Sequence, residues 1–172
     1  MNLLNEILKE HSKTQTDKIV QWVGSDAEKF NELLALFLGD EYRISQRAGW
    51  SLGDIACKHP ELIYPHLKIF VNNLSKQHIH NAVKRNTVRV LQFLTIPDEM
   101  VEDTLNQCFT LFANKKEDIA IRVFAMTVLA NICQKLPEIK EELKIMIEDE
   151  LPYASPGFVS RGRKMLGKLK TR

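Results

Sequence analysis

Apolar residues recur at intervals of three and four along almost the whole chain, and no stretch alternates cleanly at an interval of two. This spacing gathers apolar side chains on one face of a helix, so it predicts α-helices rather than strands. Pro60, Pro97 and Pro137 fall between the periodic segments, where proline can begin a helix. The pattern predicts helices at residues 2–11, 15–23, 26–38, 43–58, 60–74, 78–95, 97–113, 117–135, 138–149 and 156–170. Ser25 and Glu28 have the spacing of a capping box in front of the third of these helices.

An internal repeat underlies the helical pattern. Residues 44–62 align with residues 121–139 at seven identical positions out of nineteen, and Leu52 matches Leu129. Leu91 holds the same place in a copy between them, and Leu166 holds it in a weaker fourth copy. These leucines are 39, 38 and 37 residues apart, so we expect each to be the buried anchor of its helix.

A period of 38 to 39 residues with two helices per unit resembles the HEAT and armadillo class of α-solenoids. The resemblance covers residues 26–170 and implies an all-α fold, an α-α superhelix of about four stacked helix pairs. We expect a single domain over residues 1–172, with capping helices in 1–24 and repeats at 25–58, 60–95, 97–135 and 138–170. An irregular helical bundle with one accidental self-match is the alternative.

Composition sets limits on the class of protein. The chain has 172 residues, of which 44% are hydrophobic and 27% charged, and this excludes a disordered or low-complexity chain. Its three cysteines form no CxxC pair and lie in apolar helical patterns, which favours buried free thiols in a reducing compartment. The longest uncharged run worth testing, residues 123–134, is too short to span a bilayer. We therefore expect a cytoplasmic protein that does not act on membranes.

The net charge of +2 hides a segregation of charge between two kinds of helix. Summed over Lys, Arg, Asp and Glu, the second helices of the pairs, with their flanks, carry +10, and the first helices carry −8. In the solenoids that the chain resembles, second helices tend to line the concave side. A basic inner surface would attract an anionic partner, although scattered solvated charge is an equally open interpretation.

Helical geometry predicts which side chains line that inner face. Counted from the anchor leucines, positions −9, −5, −2 and +2 point away from the buried stripe. They supply arginines, a tryptophan and phenylalanines, which suit either phosphate contact with stacking or an acidic peptide with apolar anchors. Trp50 could instead pack against a neighbouring repeat. The candidate binding groove comprises Arg43, Arg47, Trp50, Asp54, Arg89, Phe93, Phe124, Asn131, Arg161 and Lys164.

The segment Trp50-Ser-Leu-Gly-Asp54, with Arg89 in the next repeat, resembles the tryptophan–aspartate pair and arginine of HEAT-like DNA alkylation repair glycosylases. The resemblance implies that Asp54 would stabilise an oxocarbenium ion or orient water. Trp50 would hold the damaged base or sugar, and Arg89 the phosphate. Thr127 and Val128 stand where that family has another aromatic residue. Asp54 also aligns with Asn131, so this position could instead be a repeat feature that bonds the next loop.

Motifs for other chemistry are missing from the sequence. The five histidines show no metal-ligand spacing, and neither a phosphate-binding glycine loop nor a GxSxG elbow occurs. We therefore expect no catalytic residue, metal or cofactor, and a non-enzymatic module that binds a protein or peptide. Nucleic acid, with base excision through Asp54, is the alternative partner.

Overall fold

The computed structural model describes residues 1–76 and 79–170, and every regular element within them is helical. The prediction of an all-α fold is confirmed. Residues 77, 78, 171 and 172, including part of the predicted helix 78–95, lie outside the described residues. The α-helices of the described residues are α1 (Leu3–Lys9), α2 (Lys13–Val23), α3 (Ala27–Phe37), α4 (Tyr42–Lys58), α5 (Leu67–Leu74), α6 (Asn81–Leu91), α7 (Asp98–Ala113), α8 (Ile119–Ile132), α9 (Lys140–Glu150) and α10 (Pro156–Lys170).

The chain divides into two compact units, Met1–Leu94 and Thr95–Arg172. In the first unit, α4 is central, because it packs against α1, α2, α3 and α6. Phe30, Phe37 and Phe70 are fully buried there, and the Phe37 and Phe70 rings stack 6.1 Å apart. The expectation of one domain over residues 1–172 stays a prediction.

In the second unit, α8 packs between α7 and α10, and α9 packs against α10. The Phe112 and Phe158 rings stack 6.1 Å apart, and the Arg122 guanidinium lies over both. Arg122 also donates to the Phe112 carbonyl at 2.9 Å and pairs with Glu150 at 3.2 Å. Burial alone would raise the pKa of Glu150, but hydrogen bonds from Lys115 and Arg122 outweigh it and hold the pKa below its usual value. This cluster secures the start of α10.

Several predicted helix boundaries differ from the observed ones. Helix α6 ends at Leu91 instead of residue 95, α8 ends at Ile132 instead of residue 135, and the predicted helix 138–149 starts within a 3-10 turn, Pro137–Ile139. The predicted helix 60–74 begins as two short 3-10 turns, Pro60–Leu62 and Tyr64–His66, and becomes α-helical only at Leu67. Pro60 and Pro65 lack the N–H that would continue an α-helical ladder. At α3 the cap is Asp26, whose carboxylate accepts from the backbone N–H groups of residues 28 and 29, so the predicted Ser25 cap is wrong.

Burial tests the predicted anchors. Leu52, Leu91 and Leu129 are fully buried, as predicted. Leu166 is only half-buried, so that anchor is wrong. Met165 and Leu169 are buried instead, because α10 turns the neighbouring positions toward its partners.

The cysteines are free but not uniformly buried. Cys108 and Cys133 lie in the core, whereas Cys57 is exposed, which contradicts the expectation that all three are buried. Complete burial raises the pKa of Cys108 to about 12. No helix among the described residues is both long and apolar enough to cross a membrane.

Candidate functional site

The second helices of neighbouring pairs lie side by side within each unit, α4 against α6 and α8 against α10. A polar link joins them at the same repeat position in both units. Asp54 on α4 accepts a hydrogen bond from Arg89 on α6 at 2.9 Å. Asn131, which aligns with Asp54, accepts one from Lys168 on α10. The predicted repeat feature therefore bonds the next second helix, not the next loop.

Two glycines on α4 make the first of these links possible. A Cβ on Gly53 would lie 2.8 Å from Nε of Arg89, and a Cβ on Gly49 would lie 2.5 Å from the amide of Asn86. Helix α6 therefore approaches α4 closely, and the Arg89 side chain crosses over Gly53 to reach Asp54. Asn86 is buried in this contact and Ala82 is also buried, whereas the helical count from Leu91 places both on the open face, so the expectation is wrong at these two positions.

The N-terminal segment contacts the same face of α4. Arg47 donates to the carbonyls of Ile7 and Leu8, at 3.1 and 2.8 Å, and so caps the last turn of α1. The Trp50 ring lies 4.3 Å from the His11 ring, centroid to centroid. Burial, together with the nearby charges of Arg47 and Arg85, lowers the pKa of His11 below its usual value. The half-buried Trp50 therefore packs on the N-terminal segment.

Asp54 is also held from the N-terminal side. Lys13 contacts Oδ2 of Asp54 at 2.6 Å, while Arg89 contacts Oδ1. Both carboxylate oxygens are therefore engaged within the first unit. Of the predicted groove residues in this unit, Arg43 and Phe93 are exposed to solvent.

In the second unit the predicted residues lie on α8 and α10. Arg161 donates to the Thr127 hydroxyl at 2.7 Å, which places it across the contact between the two helices. Phe124 and Asn131 are half-buried, and Lys164 is exposed. Arg161 and Lys164 thus lie on α10, and Asn131 of α8 contacts the same helix through Lys168.

A family model of the HEAT repeat domain matches residues 3–169, nearly the whole chain. The chain belongs to the HEAT repeat domain family. A comparison with the curated proteins found no match. HEAT repeat chains are helical scaffolds that are generally non-enzymatic and typically mediate protein interactions.

In this HEAT repeat domain, contacts within each unit engage much of the predicted groove. Arg47, Trp50, Asp54 and Arg89 join the N-terminal segment, α4 and α6. Arg161 makes the matching kind of contact in the second unit. Among residues 1–76 and 79–170, His, Cys, Asp and Glu form no group of three or more that could hold a metal ion.

The exposed cations of α10 extend beyond the predicted groove residues. Arg163 and Lys170 are exposed, as is Lys164, on the side of α10 opposite the buried Phe158 and Met165. We call the exposed residues Gly157, Ser160, Arg163, Lys164, Gly167 and Lys170 the α10 face. If Met165 rather than Leu166 is the buried position, the 3.6-residue helical period places these residues on the exposed side of α10.

Proposed function

We propose that this HEAT repeat protein is a non-enzymatic scaffold whose α10 face binds an acidic segment of a partner protein. The observation that carries the proposal is the charge of α10. The helix has five cationic residues and no Asp or Glu. Three of the cations, Arg163, Lys164 and Lys170, are exposed on the α10 face.

Charge complementarity supports an anionic partner. Exposed cations on one helix face raise the local concentration of anions and speed their association. Arg161 and Lys168 hold α10 to α8 through Thr127 and Asn131, so the helix that presents the face is fixed to its unit. A fixed face loses little conformational entropy when a partner binds.

The shape of the face also suits a protein segment. A Cβ on Gly157 or Gly167 would meet no atom within 4 Å, so no packing contact accounts for glycine there. Glycine at these positions leaves room for the main chain of a partner to approach closely. The face carries no aromatic side chain, whereas nucleic acid bases are commonly bound by stacking on aromatics. An acidic peptide is therefore favoured over nucleic acid.

The test is a fluorescence anisotropy titration of a labelled polyglutamate peptide. The wild type should bind, and binding should weaken between about 50 and about 200 mM salt, because exposed charge pairs are screened. Lys164→Glu should raise Kd about three- to tenfold, since it replaces an attraction by a repulsion. Lys116→Glu makes the same charge change at an exposed lysine before α8, and it should alter Kd less than about twofold.

Two outcomes of the peptide titration would overturn the proposal. One is the absence of peptide binding to the wild type at low salt. The other is equal weakening by Lys164→Glu and Lys116→Glu, which would mean that the peptide senses overall charge alone. A DNA duplex that binds in place of the peptide would assign the face to nucleic acid and also contradict an acidic protein partner.

A further inference from the structure

A second candidate site lies on the first helix of a pair, apart from the α10 face. An open cavity of about 500 Å³ runs along one side of α7 in the second unit. We call it the α7 groove, and its lining residues are Asp98, Val101, Glu102, Leu105, Lys135 and Leu136. The α7 residues among them are spaced by three and four, so they form one continuous helix face.

The floor of the α7 groove is apolar and its edge is charged. Val101 is buried, and Leu105 and Leu136 are half-buried, so apolar surface stays accessible inside the opening. Accessible apolar surface next to polar groups is typical of sites that bind a partner. The cavity is within the size range of ligand pockets, but it is open on one side rather than enclosed.

One wall of the groove is held in place by a lysine. Nζ of Lys135 contacts Oδ1 of Asp98 at 2.6 Å and the Ile96 carbonyl at 2.7 Å. These contacts tie the segment that follows α8 to the start of α7. The opening is therefore formed before any partner binds, and Asp98 is already paired with a cation.

Glu102 is the second acidic residue at the edge of the groove, and Lys135 pairs with Asp98 and not with Glu102. It is exposed, and no cation in residues 1–76 or 79–170 forms an ion pair with it. Asp98 and Glu99 lie in the first turn of α7, where acids stabilise the helix dipole. Glu102 lies one turn further on, where the dipole effect has largely faded, and Asp103 beside it adds a further negative charge.

We propose that the α7 groove binds a short segment of another protein that carries apolar side chains next to a lysine or arginine. The apolar side chains would cover Val101, Leu105 and Leu136. The cation would pair with Glu102. This partner has the opposite charge to the one that suits the α10 face, so the two sites would take different segments. An amphipathic helix in a groove is a recurring mode of peptide recognition.

The experiment uses a fluorescein-labelled leucine–lysine peptide whose leucines are spaced by three and four, so that its helix is amphipathic. A leucine–glutamate peptide of the same pattern and length is the control. The full chain should bind the first peptide and not the second. Glu102→Lys should raise Kd about tenfold, because a like charge would face the incoming lysine. Asp103→Lys makes the same charge change on the adjacent exposed residue, which does not line the groove. It should change Kd less than about twofold.

Both variant positions are exposed, so each variant should keep the wild-type circular dichroism spectrum and melting temperature. Equal weakening by the two variants would overturn the proposal, as would binding of the leucine–glutamate peptide or no binding of either peptide. Lys164→Glu serves as a further control and should leave the leucine–lysine titration unchanged. The experiments therefore test the proposal for the α7 groove and the proposal for the α10 face independently.

Discussion

At the residue scale, Asp54 and Asn131 occupy the same repeat position, and each accepts a hydrogen bond from the next second helix. Their alignment could be predicted from the sequence, because it follows from the register of the repeat. Their partners could not be predicted, because Arg89, Lys13 and Lys168 are long side chains that reach many positions within a turn or two. The resemblance of Trp50, Asp54 and Arg89 to a catalytic set does not indicate that the N-terminal segment contacts these residues. The contacts from His11 and Lys13 come from about forty residues away in the chain.

Asp54→Ala should lower the free energy of unfolding by about 1–2 kcal/mol, because it leaves the partly buried Arg89 without its carboxylate. Asp54→Asn should cost less, since an amide oxygen can still accept, as it does at Asn131. Urea unfolding of Asp54→Ala, Arg89→Ala and the double variant should show non-additive losses. Strictly additive losses would mean that the two side chains do not stabilise each other.

At the element scale, close approach and register decide how the helices pack. Gly53 and Gly49 allow α6 to lie against α4, and nothing in the hydrophobic pattern distinguishes them from the open glycines of α10. The same limit explains two wrong predictions. Ser25 and Asp26 are adjacent residues that can both cap a helix. Met165 and Leu166 are adjacent apolar residues that can both fill a core position.

A matched pair of glycine variants tests the approach of α6 to α4. Gly167→Ala places its Cβ in open space, so it should stabilise the protein by about 0.5–1 kcal/mol through helix propensity. Gly53→Ala gains the same propensity but displaces Arg89 from Asp54. It should therefore be about 1–2 kcal/mol less stable than Gly167→Ala in urea unfolding. Equal stability of the two variants would contradict the packing of Arg89 over Gly53.

The anchor positions give a second test at this scale. Leu129→Ala should destabilise by about 2–5 kcal/mol, because it opens a cavity at a fully buried position. Leu91→Ala should behave in the same way. Leu166→Ala should cost less than about 1.5 kcal/mol, since Leu166 is half-buried. Thermal or urea unfolding measures each value, and a loss at Leu166 as large as that at Leu129 would contradict the register of α10.

At the scale of the whole molecule, positive charge is concentrated on the second helices and negative charge on the first helices, although the net charge is only +2. The second helices with their flanks carry +10 and the first helices −8, and the two proposed sites follow this division. The α10 face takes its charge from a second helix, and the α7 groove takes its charge from a first helix. The helical period, the repeat and the charge totals could all be predicted from the sequence. The groove could not, because it depends on how Lys135 and Leu136 meet α7 after the chain turns.

The most direct test of the scaffold proposal is a titration of ¹⁵N-labelled protein with the polyglutamate peptide, followed by amide chemical shifts. Binding at the α10 face predicts shifts concentrated at Ser160, Arg163, Lys164 and Gly167. It also predicts that Lys164→Glu reduces these shifts and that Lys116→Glu does not. Shifts confined to residues 1–94, or no shifts at low salt, would contradict the assignment of binding to α10.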